Sequence, residues 1–123
     1  HTDGWCSADA AYSTYGATPD MNAASCWNTS PNYNRWFKFQ ATDPVIKLTV
    51  KRGGSFGNVQ RINAAIWEAD GTTEVVCKRY IGDNDNVVLQ YLNLTVGDWY
   101  YVSVDNNYSY YRGSFTLCME TQV

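Results

Sequence analysis

The chain is short of several things at once. It has one histidine, His1, in 123 residues. A Ser-His-Asp triad would have to run through that first residue, and a metal site built on several imidazoles cannot form. Charged residues make up only 17% and the balance is acidic, with nine Lys and Arg against twelve Asp and Glu. A nucleic-acid binder carries a basic face, so the net charge of −3 argues against nucleic acid as a partner. No apolar run approaches the length of a membrane-spanning helix, so no membrane insertion is expected. Glu, Lys and Leu are few, and no stretch carries a helical period of useful length. There is no Gly-x-Ser-x-Gly elbow, and Gly53-Gly54-Ser55-Phe56-Gly57 does not fit the phosphate-binding loop. A glycosidase needs two carboxylates across a cleft. Most Asp here stand in turn contexts instead: Asp43-Pro44, Asp70-Gly71, Gly97-Asp98. With no general base in view, the chain reads as a non-enzyme.

What is abundant points to strands. Ten Tyr, five Trp and four Phe accompany many Asn, Thr and Ser, and 45% of residues are hydrophobic. That is too apolar for a disordered chain and is the composition of an all-β protein. The length suits a single domain over 1–123. Residues 1–34 read as an irregular, disulfide-stapled loop region with a short strand near Ala11–Thr14, and 35–120 as the sheet core. In Arg35–Gln40, Phe37 and Phe39 share one face. In 45–51, Ile46, Leu48 and Val50 point inward. Arg61–Glu68 is apolar on both faces and predicts a more buried strand. Asp70-Gly71 predicts a hairpin turn, with the return strand over 74–80. Further strands follow at 87–91, 99–105 and 114–119. Tyr100, Val102 and Val104 face in, while Tyr101, Ser103 and Asp105 face out. About seven or eight short antiparallel strands at this spacing predict one β-sandwich, jelly-roll or immunoglobulin-like.

Four cysteines are present: Cys6, Cys26, Cys77 and Cys118. None forms a Cys-x-x-Cys pair, which removes zinc knuckles and thioredoxin-like motifs. An even count in an acidic, Asn- and Tyr-rich domain predicts two disulfides and an extracellular or cell-surface location. Three connectivities are open. Locality favours Cys6–Cys26 and Cys77–Cys118.

The aromatic residues carry the functional hint. Phe37, Phe39, Tyr100, Phe115 and Trp67 belong to a core, whereas Trp27, Tyr33, Trp36, Tyr101, Tyr108, Tyr110 and Tyr111 fall on loops or an outer face. Flat rings stack on the apolar faces of sugars, and amides and carboxylates bond the hydroxyls. The loop from Asn106 to Arg112 mixes rigid Tyr area with adaptable Ser and Asn contacts. The candidate ligand-binding set is therefore Trp99, Tyr101, Asn107, Tyr108, Tyr110 and Tyr111. Calcium is the metal best suited to the oxygen ligands on offer. Asp83-Asn84-Asp85-Asn86 is first of all turn chemistry; the sharper reading has Asp83 and Asp85 hold one calcium.

Three blocks carry a family likeness: Cys26-Trp27-Asn28 through Pro31 to Phe39, then Ala65-Ile66-Trp67-Glu68-Ala69-Asp70-Gly71, then Leu94 to Asp105 together with Gly113-Ser114-Phe115-Thr116-Leu117-Cys118. Together they resemble the cysteine-bearing β-sandwich modules of large Bacteroidetes surface proteins exported by type IX secretion, which include gliding and adhesion proteins. More distantly they resemble the bacterial pre-peptidase carboxy-terminal domain, a family that usually lacks these cysteines. The resemblance implies export, a non-catalytic role in adhesion or spacing, and life inside a longer polypeptide. The partners it implies are neighbouring domains or surface glycans. Edge strands would permit self-association.

Overall fold

The computed structural model describes residues 5–6, 12–13, 26, 35–79, 86–106 and 113–121. They form β1 (Trp5–Cys6), β2 (Tyr12–Ser13), β3 (Arg35–Gln40), β4 (Ile46–Lys51), β5 (Ile62–Glu68), β6 (Glu74–Lys78), β7 (Val87–Tyr91), β8 (Trp99–Asn106) and β9 (Ser114–Thr121). A short 3-10 helix, Gly54–Phe56, is the one helical element among the described residues. The strands predicted by alternation are present within two residues of their expected bounds. β5 starts at Ile62 rather than Arg61 because Arg61 adopts a left-handed φ of 51°, which cannot continue a strand.

The strands form two antiparallel sheets, β1-β9-β4-β7 and β3-β8-β5-β6, with β2 also on β9. Only β5 and β6 form a hairpin within one sheet. Every other connection from β3 onward crosses between sheets. This order is that of a jelly roll, in which two Greek keys wrap into facing sheets. β1 and β2 both lie on the outer edge of β9, at Cys6↔Cys118 and Tyr12↔Phe115. They are separated by residues 7–11, while β9 advances only from Cys118 to Phe115.

The core lies between the sheets. Leu48, Val50, Leu89, Ile62, Ile66, Val104 and Phe115 are fully buried there, with Phe37 and Phe39 packed against them. The Phe37 and Phe115 rings meet edge-on, centroids 6.2 Å apart, which ties the two sheets together. The inward residues expected from alternation on β3, β4 and β8 are the ones found in this core.

The outward face of the β3-β8-β5-β6 sheet departs from simple alternation. Ala65 and Trp67 are buried outside the sandwich, in a second apolar layer with Trp36, Tyr101, Cys26 and Cys77. Trp67 thus belongs to a core, as its sequence context suggests, but not to the one between the sheets. Ser103 and Asp105 point outward as expected yet are 0% and 1% exposed.

The disulfide pairing corrects the expectation. Cys26 is bonded to Cys77 across a separation of 51 residues, so neither Cys6–Cys26 nor Cys77–Cys118 exists. Cys77 lies on the outer face of one sheet. Cys118 is on β9 in the other, between the core-packed Leu117 and Met119, and so faces away on the opposite side. Sheets stack about 10 Å apart, and a disulfide needs Cα atoms within about 7 Å. Locality misled because loop-closure entropy rises only logarithmically with loop length, a weak force against tertiary geometry.

Candidate functional site

The register divides the connections between two ends of the sandwich. Residues 41–45, 69–73 and 92–98 join strands at the end where β8 begins. Residues 52–61 join strands at the end where β8 finishes. β8 has eight residues, and at roughly 3.3 Å per residue its ends are some 23 Å apart. Trp99 opens β8, whereas Asn107, Tyr108, Tyr110 and Tyr111 follow its last residue. Of the candidate ligand set, Trp99 and Tyr101 are among the described residues. Asn107, Tyr108, Tyr110 and Tyr111, with Asp83 and Asp85, lie outside the described residues.

Tyr101 sits in the middle of the outer face. It is half-buried, its ring edge-on to Trp36 with centroids 6.0 Å apart. Trp36 and Trp67 lie 5.6 Å apart at a tilt of 35°. Trp67 Nε1–H donates to Ser103 Oγ at 2.8 Å, which explains a buried serine on an outward position. The three rings form one layer with the Cys26–Cys77 bridge beside them.

Trp99 differs from them. It is 45% exposed, and the Lys38 ammonium lies 4.8 Å from its ring centroid, a cation–π contact. The ring borders a cleft of about 320 Å³ whose other walls are Glu68, Ala69, Gly97, Asp98 and Tyr100. The loop on that side is pinned. Gly97 N–H donates to Ala41 O at 2.8 Å, Ala41 N–H to Asp98 O at 2.9 Å and Asp98 N–H to Thr95 O at 3.1 Å. Gln40 Nε2 donates to Gly97 O at 2.9 Å, and Thr95 N–H to the Tyr100 hydroxyl at 2.9 Å. Gly97 has φ +94° with no neighbouring atom near its missing side chain, so its conformation rather than crowding calls for glycine. The same connection exposes Leu92 and Val96.

Five of the described acids contrast in how they are used. Asp43 Oδ1 accepts from Val45 N–H at 3.1 Å. Asp70 Oδ1 accepts from the N–H groups of Thr72 and Thr73, each at 2.8 Å, and its Oδ2 accepts from the Thr73 hydroxyl at 2.5 Å. The Thr73 hydroxyl, then the two amides, hold the Asp70 carboxyl down at about 2. These are the turn acids expected from Asp43-Pro44 and Asp70-Gly71. At the far end of β8, Asp105 Oδ1 accepts from Asn106 N–H at 2.7 Å. Glu68 and Asp98, by contrast, border the cleft and bond through their main chains. Glu68 is not legible in the sequence as part of this site, because it closes β5 while Trp99 opens β8, and only the register of the two strands brings them together. Among the described residues, no group of three His, Cys, Asp or Glu is placed to hold a metal.

The class the described strands define is a jelly-roll sandwich, eight-stranded among the described residues with β1 and β2 counted as one edge strand, with a disulfide-clamped aromatic layer on one outer face. Compared with known protein families, curated proteins and solved structures, the chain matches none. No described helix is long and apolar enough to cross a membrane.

Proposed function

We propose that this chain is a non-catalytic module of a larger secreted or surface protein and works in adhesion and spacing. The observation that carries the reading is the Cys26–Cys77 bridge clamped on the aromatic face. Disulfides persist in oxidising, extracellular settings. A second bridge, Cys6–Cys118, belongs to the same reading. Cys26 and Cys77 are taken, no described cysteine is free, and β1 sets Cys6 directly opposite Cys118. The family likeness of the sequence blocks to type IX-exported Bacteroidetes adhesins agrees with it. Non-reducing peptide mapping of the secreted chain tests the compartment: the expected fragments join Cys26 to Cys77 and Cys6 to Cys118. Free thiols at all four positions would remove the reading's main support.

A second reading, carbohydrate binding, is favoured by one specific feature, the exposed Trp99 beside a cleft with two carboxylates. Exposed aromatic rings fixed by a rigid scaffold suit stacking on sugars. A pull-down on a polysaccharide panel, in calcium and again in chelator, separates the two. Saturable retention on one class supports a carbohydrate module, and loss in chelator supports calcium in or beside the binding site. Binding to copies of itself or to adjoining domains, with no retention on any glycan, supports the spacer.

A further inference from the structure

We infer that the Trp99 cleft takes a neutral sugar, stacked on the indole with its hydroxyls donating to Glu68 and Asp98, and that it rejects acidic glycans. This rests on the carbohydrate-binding reading and names the site and the ligand class.

Three observations lead there. The cleft is preformed: Ala41, Gln40, Thr95 and Tyr100 tie down the 95–98 loop through the hydrogen bonds above. A ligand does not have to order that loop, which removes one cost of binding. Its volume of about 320 Å³ lies at the small end of ligand sites and suits a short saccharide. Glu68 and Asp98 also differ in use from Asp43, Asp70 and Asp105, whose carboxylates bond their own local backbone. Carboxylates at a cleft wall are strong acceptors for hydroxyl donors.

Charge narrows the ligand. Two carboxylates and one nearby ammonium, Lys38, leave the cleft negative. Uronate and sulfate groups are repelled there. A cationic ligand is disfavoured for a different reason: the Lys38 ammonium over one face of the Trp99 ring repels a second cation, while a neutral sugar can stack on the opposite face. A divalent ion would find only two carboxylates, and Gly97 O already accepts from Gln40. A neutral ring with apolar C–H faces and outward hydroxyls meets all of these conditions.

The test is titration of the oxidised full chain, followed by amide chemical shifts and calorimetry. The probes are neutral oligosaccharides of glucose, mannose, galactose and xylose, beside oligogalacturonate and a sulfated oligosaccharide. The expected result is saturable binding to a neutral probe, with shifts at Gly97, Asp98 and Trp99. Trp99→Ala should weaken it by about tenfold or more and Trp99→Phe by only a few-fold. Glu68→Gln and Asp98→Asn should each weaken it by about three- to tenfold. The thermal midpoints of these variants serve as the folding control. Neutral-sugar binding that survives Trp99→Ala would overturn the site while leaving the carbohydrate reading intact. A preference for oligogalacturonate or the sulfated probe would overturn the ligand class. Failure of every glycan to bind the folded chain would overturn the carbohydrate reading and this inference with it.

Discussion

The two apolar layers of this domain are built on different terms. The layer between the sheets is mostly aliphatic with a few rings, Phe37, Phe39, Tyr100 and Phe115, is drawn from seven strands, and is held by burial and packing with no covalent bridge among its described residues: Leu48, Val50, Ile62, Leu89 and Val104 are all at 0% exposure. The layer outside the β3-β8-β5-β6 sheet is aromatic and small. It depends on one covalent bridge and one indole hydrogen bond, Cys26–Cys77 and Trp67 Nε1–H to Ser103. The comparison teaches that the inner layer specifies the fold and the outer one is added by a staple. The inner layer has many redundant contacts, so truncating one member leaves a cavity but keeps the architecture. The outer layer has one tether, and cutting it loosens Cys26 and whatever chain it anchors without touching the sandwich.

The sharpest way to break this comparison is in the inner layer. Phe115→Ala removes a fully buried ring that bridges the sheets to Phe37. It should lower unfolding free energy by about 3–5 kcal/mol, measured by denaturant titration with the m-value as a check on two-state behaviour. In the outer layer, replacing Cys26 and Cys77 together by Ala should lower stability by about 4 kcal/mol or somewhat less, as chain entropy predicts for a closed loop of this length. The variant should keep its far-ultraviolet circular dichroism while its tryptophan signals change. Loss of both signals at once would mean that the two layers are one cooperative unit.

The smallest effect lies in the β5–β6 turn, outside both layers. The carboxyl of Asp70, at about 2 in the folded chain against an ordinary 3.8, is more acidic folded than unfolded. Its stabilising influence is therefore complete above the ordinary carboxyl range and lost as pH falls through about 2. A carbon-detected titration should place its midpoint there, and Thr73→Val should move it up toward 3.8. An unmoved midpoint would shift the cause from the Thr73 hydroxyl to the backbone amides.

Much of the inner layer was legible in the sequence. Phe37/Phe39, Ile46/Leu48/Val50 and Tyr100/Val102/Val104 alternate, and a period of two has only one buried-face solution. The double-sided apolar run Ala64-Ala65-Ile66-Trp67 announced a strand covered on both faces. The jelly-roll order was not legible, because it is decided by pairings such as β9 with β4, which no local pattern encodes. The disulfide partners were hidden for the same reason, Cys77 being placed on an outer face by tertiary structure. At the cleft, Trp99 after the Gly97-Asp98 turn was a visible signal. Glu68 was not, since only the β5–β8 register brings it opposite Tyr100.

The most direct measurement of this account is hydrogen exchange at the Trp67 indole N–H and at the amides of Leu48 and Val50, before and after mild reduction of the Cys26–Cys77 disulfide. The account predicts that reduction accelerates exchange at Trp67 while the β4 amides stay protected. Protection retained at Trp67 after reduction, or lost from Trp67, Leu48 and Val50 together, would contradict the claim that the outer layer is held by its own staple.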